Sequence, residues 1–454
     1  MRLTIVHPAI GHRKNERYIR SWQMEPLPSA VIAGLTPDDV EIAFYDDRVE
    51  RIDYDHPSDA VAISLEAYTA KRAYQIASEY RKRGVPVIFG GFHATLVPEE
   101  AARFAESVVT GEAEYVWPEL IDDLRHGTLK KRYDGFCQGN GACPPYRADR
   151  SVFRGKNYLP VNLLETGRGC RHACEFCSIQ SFFKQTRSCR HSDRVLEEIA
   201  ALGDNAKLFF FVDDNFAGDI VQSKALLRAL PALDIRWVTQ ISIDAAHDEE
   251  YLFLLAKAGC MGVLIGFESL EAKNIETMNK RFNMSNGGYE RAMKNLRKYN
   301  IRVYATFVFG YDHDTPETFA RALDFALAEG VYIAAFNHLT PFPGTPLYSR
   351  LQREKRLKYD AWWLDDRYRY NDVPFYPARM TPEQISEHCL AARRKFYSWR
   401  GVAKRAFSPV NRSDPQMFWS FFIINAMHGR DGVKRHAYPL GDENWNGSYL
   451  ETGN

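Results

Sequence analysis

Three cysteines lie within eight positions of each other in the middle of the chain. Cys170, Cys174 and Cys177 have the spacing C-x3-C-x2-C, within the run Gly-Arg-Gly-Cys-Arg-His-Ala-Cys-Glu-Phe-Cys-Ser at 167–178. Three thiolates on one short loop can hold three irons of a [4Fe–4S] cluster and leave the fourth iron open. The spacing therefore predicts a cluster whose open iron can be chelated by the amino and carboxylate groups of a ligand such as S-adenosylmethionine (SAM).

Two other interpretations of these cysteines are open. A structural zinc ion usually has four ligands in two spaced pairs, and only His172 stands near enough in sequence to be the fourth. The thiols can also be inert and buried. Cys137 and Cys143 have the spacing C-x5-C, to which we assign no chemistry. The remaining cysteines are scattered and predicted to be packed thiols: Cys189, Cys260 and Cys389.

Composition sets limits on the class of protein. The 454 residues are 45% hydrophobic and 26% charged, which is ordinary for a globular protein and excludes wholesale disorder, collagen-like repeats and a multi-span membrane protein. Lys and Arg total 59 against 58 Asp and Glu, so we expect no nucleic-acid partner. Eight cysteines are too few for a secreted disulfide scaffold, and their crowding indicates metal chemistry in a reducing compartment.

The apolar segments predict a cytoplasmic protein. The N-terminal apolar run is short and soon meets His12, Arg13 and Lys14, unlike a signal peptide. The longest apolar stretch elsewhere, 417–427, is shorter than the ~20 residues that cross a bilayer.

The elements that position the cysteines form two alternating series. In the first, β-rich runs at 3–7, 40–45, 60–65, 85–89 and 107–110 alternate with helical segments, the clearest at 70–83. This pattern predicts a doubly wound, Rossmann-like α/β domain over 1–126, with a ligand outside the carboxyl ends of parallel strands. Periodicity is lost over 127–156, which we interpret as a linker.

The second series covers 157–346. Predicted strands at 160–165, 208–212, 236–242, 262–267, 302–309 and 332–337 alternate with helices. Six β/α units predict a (β/α)6 partial barrel, whose chemistry lies at the carboxyl ends of its strands. The cysteines immediately follow its first strand. The rest of the chain, 347–454, is predicted to be mainly helical.

The cysteine spacing, with Phe176 just before the last cysteine, resembles that of the radical SAM superfamily, and the partial barrel agrees. The resemblance implies that a reduced cluster donates an electron to SAM and that a 5′-deoxyadenosyl radical then abstracts hydrogen from the substrate. Such a radical needs a dry pocket. The resemblance also implies an external electron donor such as flavodoxin or ferredoxin.

The same resemblance implies SAM contacts where barrel strands end. Besides Phe176, the candidates are Asp213 and Asp214 after the second strand, although the family's usual Gly-Gly-Glu is absent. Gln240 and Ser242 end the third strand, and Glu268 ends the fourth. In the alternative interpretation, Asp214 and Glu268 cap the helices that follow.

A doubly wound domain ahead of such a barrel resembles the cobalamin-dependent branch, and the resemblance covers roughly residues 1–350. This branch includes methyltransferases and the anaerobic ring cyclase of bacteriochlorophyll synthesis. The pair Gly90–Gly91 would let the backbone approach a flat ligand. The residues with implied cobalamin contacts are His7, Pro8, Ser64, Leu65, Glu66, Gly90, Gly91, His93, Gly111 and Glu112.

The Asp-x-His-x-x-Gly motif, which supplies a histidine below cobalt in many cobalamin proteins, is absent. We therefore expect no histidine ligand on that face, with His7, His12 and His93 as the nearest alternatives. Methylthiotransferases resemble this architecture but carry three further cysteines in the first domain. No cysteine precedes Cys137 here, which argues against that class.

Our leading hypothesis is a cobalamin-dependent radical SAM methyltransferase that methylates an unactivated carbon. The alternative is cyclisation, ring contraction or oxygen insertion with the same cofactors, and a third class is a binding module without catalysis. No catalytic side chain is assigned. The substrate is expected to be a small molecule or lipid-like.

The segment 391–435 bears on the substrate and on location. It has ten Lys and Arg against two Asp and Glu, and includes the run Met-Phe-Trp-Ser-Phe-Phe-Ile-Ile at 417–424. One interpretation is a core helix with a solvated basic face. The other is contact with an anionic or lipid-like substrate or with a membrane surface, which would make the protein peripheral to the membrane.

Overall fold

The structure is a computed structural model, and it describes residues 1–16, 18, 23–136, 146–203 and 206–452, apart from the side chains of 432 and 433. Cys137 and Cys143 lie outside the described residues.

The N-terminal domain is built on a parallel sheet. Its strands are β1 (Arg2–His7), β2 (Glu41–Asp46), β3 (Ala60–Ser64), β4 (Val87–Gly90), β5 (Ser107–Gly111) and β6 (Arg132–Gly135). Their order is β2-β1-β3-β4-β5-β6, so the direction of winding reverses between β1 and β3. The sixth strand lies inside the range 127–156 that we predicted to be a linker; its alternating pattern is too short to stand out from the glycines around it.

Helices cover both faces of this sheet, as the doubly wound prediction requires. Val6, Val61 and Phe89 pack in the core on one side, whereas Leu3, Ile5 and Ile88 pack on the other. The helices of the domain are Leu27–Leu35, Ala70–Lys82, Phe92–Leu96, Pro98–Ala101 and Trp117–His126.

The second domain is an open barrel of parallel strands in sequential order. They are β7 (Asn162–Leu164), β8 (Leu208–Phe211), β9 (Arg236–Ile241), β10 (Cys260–Glu268), β11 (Arg302–Phe309) and β12 (Ile333–His338). The α/β fold class with a partial barrel is therefore confirmed. The helices of this part are Ser178–Phe183, Ser192–Ala201, Ile220–Ala229, Glu249–Lys257, Ala272–Thr277, Gly288–Lys298, Pro316–Ala328 and Pro346–Arg353. Short 3₁₀ turns occupy Ala113–Tyr115, Arg150–Phe153, Phe216–Gly218, Leu230–Leu233, Ile243–His247 and Arg281–Gly287.

Alternation along the barrel strands separates an outer face from an inner face. In β11, Val303, Ala305 and Phe307 are buried, and Phe307 meets Phe325 of the surrounding helices. Tyr304 points the other way and is half-buried. Because side chains alternate strictly along a strand, the half-buried positions line the barrel interior.

C-terminal helices cover the free edge of β12, which is the last strand of the open barrel. The Tyr397 hydroxyl donates to the Ala334 carbonyl at 2.8 Å and accepts from the Ala334 N–H at 3.3 Å. Arg393 donates to the Phe336 carbonyl at 3.0 Å. These side chains thus bond the backbone N–H and C=O groups of an edge strand that could otherwise pair with a strand of another chain. The helices of this region are Pro382–Phe396, Trp399–Ala406, Pro409–Arg412 and Pro415–Lys434.

The helices within 347–454 agree with the mainly helical prediction for this region, whereas the end of the chain returns to the first domain. The short strand Gly441–Asp442 pairs in parallel with Gly11–His12. The Leu450 N–H donates to Ser78 in the helix Ala70–Lys82 at 3.0 Å. Nothing in the local sequence signals this long-range pairing. Within the described residues, no helix combines the length and apolarity needed to cross a membrane.

Candidate active site

The three predicted cluster cysteines lie on one loop at the carboxyl end of the barrel. The short strand Gly167–Gly169 leads into the loop and pairs antiparallel with Arg187–Cys189. Gly169 has φ +80°, and a Cβ there would stand 2.2 Å from the Thr186 carbonyl oxygen, so this turn requires glycine. Cys174 is buried, and Cys170 and Cys177 are half-buried.

The donor set of this loop fits a [4Fe–4S] cluster. Burial raises the pKa of the Cys174 thiol to about 12, and the neighbouring thiols Cys177 and Cys170 act in the same direction. Thiols held so close in a desolvated loop need a cationic centre to become thiolates. His172, the possible fourth zinc ligand, instead stacks on Phe282 with ring centroids 3.8 Å apart. In the parts of the chain that are described, no three His, Cys, Asp or Glu side chains converge as the ligands of a single ion do.

Asn215 connects this loop to the third barrel strand. Its Nδ2 group donates to the Cys170 Sγ at 3.8 Å and to the Ser242 Oγ at 3.0 Å, and its Oδ1 accepts from the Ser242 N–H at 3.1 Å. An amide donor at a ligand sulfur orients it and stabilises its charge. Sequence reasoning missed Asn215, although it directly follows the two aspartates selected at the end of β8.

The two aspartates themselves have different roles. Asp213 is buried, and its oxygens accept from the Thr166 N–H at 2.7 Å and the Thr166 hydroxyl at 2.6 Å, with Arg187 Nη2 at 3.3 Å. Both oxygens are committed to the protein, contrary to the SAM contact predicted for Asp213. Asp214 accepts from the Gly169 N–H at 2.7 Å and so supports the turn into the cysteine loop.

Neither acid that we considered as a helix cap has that role. The helix Ile220–Ala229 is capped by the side chain of Asp219 rather than by Asp214. Glu268 has φ +60° and pairs with the buried Lys280, whose Nζ lies 2.8 Å from its Oε1. Lys280 also donates to the Gly266 carbonyl at 3.2 Å. This lysine, on the turn after the helix Ala272–Thr277, places a cation near Cys174 and has no sequence signal of its own.

The remaining predicted SAM residues lie around the same loop. Gln240 donates through Nε2 to the Asp214 carbonyl at 2.6 Å. Phe176 meets Tyr311 edge-on, with ring centroids 6.5 Å apart. Glu175, inside the loop, accepts from Arg350 Nε at 2.7 Å, which ties the loop to the end of the barrel. The structure therefore gathers the ends of β8, β9, β10 and β11 around the cysteines.

In the first domain, the predicted cobalamin residues follow the strands on either side of the reversal point. His7 is the last residue of β1 and Pro8 follows it, whereas Ser64 is the last residue of β3 and is followed by Leu65 and Glu66. Crevices at such a point are where doubly wound sheets bind ligands. Burial, followed by the positive charge of Arg48, lowers the pKa of His7 to about 4, so this imidazole is neutral.

The two adjacent glycines, Gly90 and Gly91, differ in whether a Cβ atom would fit at their position. Gly91 has φ +92°, and a Cβ there would stand 2.8 Å from the Ser64 Oγ and 3.0 Å from the Leu65 carbonyl oxygen. A Cβ on Gly90 would meet nothing closer than the Val109 Cβ, at 3.8 Å. The close approach of the β3 and β4 loops, which fits a flat ligand, thus depends on Gly91.

Two of the histidines near this crevice lie beside carboxylates of the protein. His93 is buried, its Nε2 lies 3.0 Å from the Glu100 Oε1, and Trp363 donates to the same carboxylate at 3.0 Å. His12 Nε2 lies 3.1 Å from the Asp47 Oδ2. His93 Nε2 is thus paired with Glu100, whereas its buried Nδ1 has no hydrogen-bond partner among the described residues, and the cobalamin contact predicted for His93 stays a prediction.

Arg168 joins the two domains beside the cysteine loop. Its guanidinium lies 3.2 Å from Glu112 and 2.6 Å from Glu114, both after β5, and 2.6 Å from Glu165 of the barrel. Gly111, before these acids, has φ +77° at the end of β5. Because Arg168 is two residues from Cys170, it fixes the cysteine loop against the first domain, and the Glu112 carboxylate is engaged in this contact.

Further contacts join the same ends of the two sheets. Phe92, after β4, meets Phe182, after the cysteine loop, with centroids 4.5 Å apart. The hydroxyls of Tyr68 and Thr340 lie 3.1 Å apart. The carboxyl ends of both parallel sheets therefore face each other, with the cysteine loop on one side and the β1 and β3 loops on the other.

Comparison with known proteins agrees with this architecture. A model of the radical SAM superfamily matches residues 164–326. The solved structure of the radical S-adenosylmethionine methyltransferase TsrM from Kitasatospora setae, with cobalamin and a [4Fe–4S] cluster bound, superposes with a TM-score of 0.63. It is 18% identical and covers 95% of this chain and 99% of its own, so it supports the fold.

Sequence similarity extends over nearly the whole chain. Bacteriochlorophyllide d C-12(1)-methyltransferase of Chlorobaculum tepidum is 30% identical over 408 residues, which are 88% of this chain and 87% of that protein. The C-8(2)-methyltransferase of the same organism is 28% identical and covers 83% of this chain and 86% of its own. With the facing sheets and the cysteine loop, this similarity shows that the chain belongs to the cobalamin-dependent radical SAM superfamily.

Proposed function

We propose that this protein is a methyltransferase that moves a methyl group from SAM, by way of cobalamin, to an unactivated carbon of a small or lipid-like molecule. The observation that carries the proposal is the Arg168 bridge, because it holds the cysteine loop of the barrel against the loops of the first domain. A radical generated on one side and a methyl carrier on the other need such a fixed, facing arrangement.

In this proposal Cys170, Cys174 and Cys177 hold the [4Fe–4S] cluster, and Asn215 supports Cys170 through its hydrogen bond. A cluster with SAM supplies an organic radical that can take hydrogen from carbon, and cobalamin supplies the methyl group. The residues proposed to meet SAM are Phe176, Asp214, Gln240, Ser242 and Glu268.

Cobalamin is proposed to lie over the crevice between β1 and β3. The loop residues His7, Pro8, Ser64, Leu65 and Glu66 would form one wall. Gly90, Gly91 and Gly111 would form the other through their backbone, since the described geometry of Gly91 already brings it against Ser64. His93 and Glu112 are proposed to support these loops from behind, through Glu100 and Arg168.

Methyl transfer, rather than cyclisation, is supported by the names of the relatives that match at 27–30% identity. Both bacteriochlorophyllide enzymes and the Rhodopseudomonas palustris hopanoid C-2 methylase, which is 27% identical over 361 residues, are named for methylation at carbon. Anaerobic magnesium-protoporphyrin IX monomethyl ester cyclases also match, at 25% identity over 76% of this chain. We further propose a cytoplasmic location, with reduction by a flavodoxin or ferredoxin.

The test is a count of products under anaerobic conditions. The reconstituted protein is incubated with cobalamin, a reductant, SAM carrying a trideuterated methyl group, and small molecules and lipids extracted from cells that lack the protein. We expect a labelled product together with both S-adenosylhomocysteine and 5′-deoxyadenosine. A new product accompanied by deoxyadenosine alone would contradict methyl transfer and support cyclisation or another rearrangement.

A further inference from the structure

We propose that the outer face of the C-terminal helices docks the protein on an anionic lipid bilayer. This docking face consists of the outward side chains of the helices Trp399–Ala406 and Pro415–Lys434 and of Phe407 between them. The proposal goes beyond the proposed function, and its test does not depend on catalysis.

The docking face is unusually apolar for a surface. Five of the eleven exposed large hydrophobic side chains of the described residues fall within 399–423. Trp399 is 75% exposed, Trp419 is 69% exposed and Ile423 is 61% exposed. On the opposite side of the second helix, Phe421 is buried against Tyr332, with centroids 5.1 Å apart. The helix is therefore anchored through one side and presents apolar side chains on the other, which a core helix does not do.

Charge complements this apolar surface. Neither acid within 391–435 leaves an unpaired negative charge on the surface: Asp414 pairs with Arg236, and Asp431 is buried. Every exposed charged side chain that is described in this segment is basic, namely Arg394, Lys395, Arg400, Lys404, Arg412, Arg430 and Lys434. Exposed tryptophans interleaved with Lys and Arg are the composition of helices that lie in the interface of an anionic membrane.

The face is also held rigid before any partner arrives. Arg405, on the helix Trp399–Ala406, is fully buried against the helix Pro415–Lys434, and none of its described hydrogen-bond partners is a carboxylate. It donates to the Phe396 carbonyl at 2.9 Å, to the Tyr332 carbonyl at 3.1 Å and to Asn425 Oδ1 at 2.9 Å. A preformed surface loses little conformational freedom on binding.

A bilayer fits this face better than a second copy of the chain. Self-association through the face would bring two basic surfaces together, and like charges across an interface cost several kcal/mol. Anionic headgroups neutralise the same charges, while the tryptophan and isoleucine side chains enter the boundary of the acyl chains.

The second helix of the docking face, Pro415–Lys434, also forms part of the wall of the barrel. His428, on Pro415–Lys434, lies beside Tyr304 of the inner barrel face, with ring centroids 6.0 Å apart. Docking would therefore place this wall of the barrel against the bilayer, where a lipid-like substrate is found. This step alone rests on the proposed function.

The test is flotation of the full-length, cofactor-loaded protein with vesicles. One set is phosphatidylcholine, and the other contains roughly a quarter phosphatidylglycerol. We expect flotation with the anionic set at low salt, and about tenfold less with the neutral set or at high salt. A protein that stays in the dense fraction with anionic vesicles would overturn the proposal, whatever its activity.

Variants locate the contact. Trp419→Ser with Ile423→Ser should weaken binding at least about tenfold, and Arg400→Gln about fivefold, because each basic residue near the surface contributes about that factor. Phe253→Ser is the matched control, since Phe253 is 52% exposed on the helix Glu249–Lys257 and lies outside the face. Bilayer docking would be refuted if the double variant bound anionic vesicles as well as the unsubstituted protein does. It would also be refuted if the unsubstituted protein formed a dimer through this face that the double variant did not form.

Discussion

The cysteine loop and the loops of the N-terminal sheet face each other, yet they are specified by different means. The cysteine loop depends on side chains, because three thiols, Asn215 and Lys280 supply or adjust the donors. The loop after β4 depends on backbone, because Gly91 admits no Cβ beside Ser64. Side-chain chemistry at fixed spacing can be read in a sequence, whereas a backbone approach between two distant loops becomes visible only when both are placed.

The largest effect should follow from removing a side chain of the cysteine loop. Cys170→Ala, Cys174→Ala and Cys177→Ala are each expected to abolish cluster assembly, because three thiolates are the minimum for three irons. Iron and sulfide content and the visible spectrum after anaerobic reconstitution measure this. Cobalamin binding should persist, since the crevice proposed for it lies in the other domain.

Near-normal iron in all three variants would contradict the cluster assignment. Cys260→Ala is the matched control, because this thiol is buried in the barrel core and away from the loop. It should keep its iron.

The second-largest effect should follow from adding a Cβ atom to the opposite loop, at Gly91. Gly91→Ala forces a Cβ to within 2.8 Å of the Ser64 Oγ at a φ of +92°, so the β3 and β4 loops must separate. We expect cobalamin affinity to fall at least about tenfold and stability to fall by about 1–3 kcal/mol, while iron content stays normal. Titration of cobalamin by absorbance measures the first, and urea unfolding the second.

Gly84→Ala tests whether the effect is specific to this approach. Gly84 also has a positive φ, +74°, but a Cβ there would meet nothing within 4 Å, so cobalamin affinity should change less than about twofold. Equal losses of affinity in the two variants would show that Gly91 acts through its positive φ and not through its contact with Ser64.

Much of the fold could be predicted from the sequence, and the exceptions have a physical cause. The barrel strands were placed to within a few residues because each is an apolar run bounded by helix-period segments. The strand Arg132–Gly135 and the pairing of Gly441–Asp442 with Gly11–His12 were missed, because they are short and are stabilised by partners far away in the chain.

The same limit applies to the site. The thiols were found by their spacing, whereas Asp213 was assigned to SAM by its position at the end of a strand. A carboxylate at such a position can bind either a ligand or the turn beside it, and the sequence does not distinguish the two roles. Only the structure shows that Thr166 and Arg187 engage it. Arg168 carried no local signal at all, because its three acidic partners come from two domains.

A third, intermediate effect should follow from releasing the two loops from each other. Arg168→Met leaves Glu112, Glu114 and Glu165 without their shared cation in a half-buried interface. Loss of one partner from a buried charge cluster costs about 3–5 kcal/mol, and partial access to water should lower this to about 2 kcal/mol. Urea unfolding measures it, and iron and cobalamin should still bind separately.

Arg154→Met is the control, since Arg154 is exposed and has no ion pair among the described contacts. If the free energy of unfolding of Arg168→Met equalled that of Arg154→Met, the Arg168 bridge would not be what holds the two loops together.

The smallest effect should be opposite pH dependences of the two loops in the protein without cofactors. Burial lowers the pKa of His7 from 6.5 to about 4, so the unfolded chain binds a proton that the folded one refuses, and stability falls as pH drops from 6.5 towards 4. Burial raises the pKa of Asp214 from 3.8 to about 7, so its contribution is complete below 3.8 and is lost as pH rises towards 7. Between about pH 4 and 6.5 the two trends oppose each other.

His7→Gln should remove the first trend and Asp214→Asn the second, each changing the pH dependence of the unfolding free energy by about 1 kcal/mol after solvent screening. Urea unfolding across this pH range measures both slopes. If the two substitutions changed the slope in the same direction relative to the unsubstituted protein, the two loops would not be electrostatically distinct.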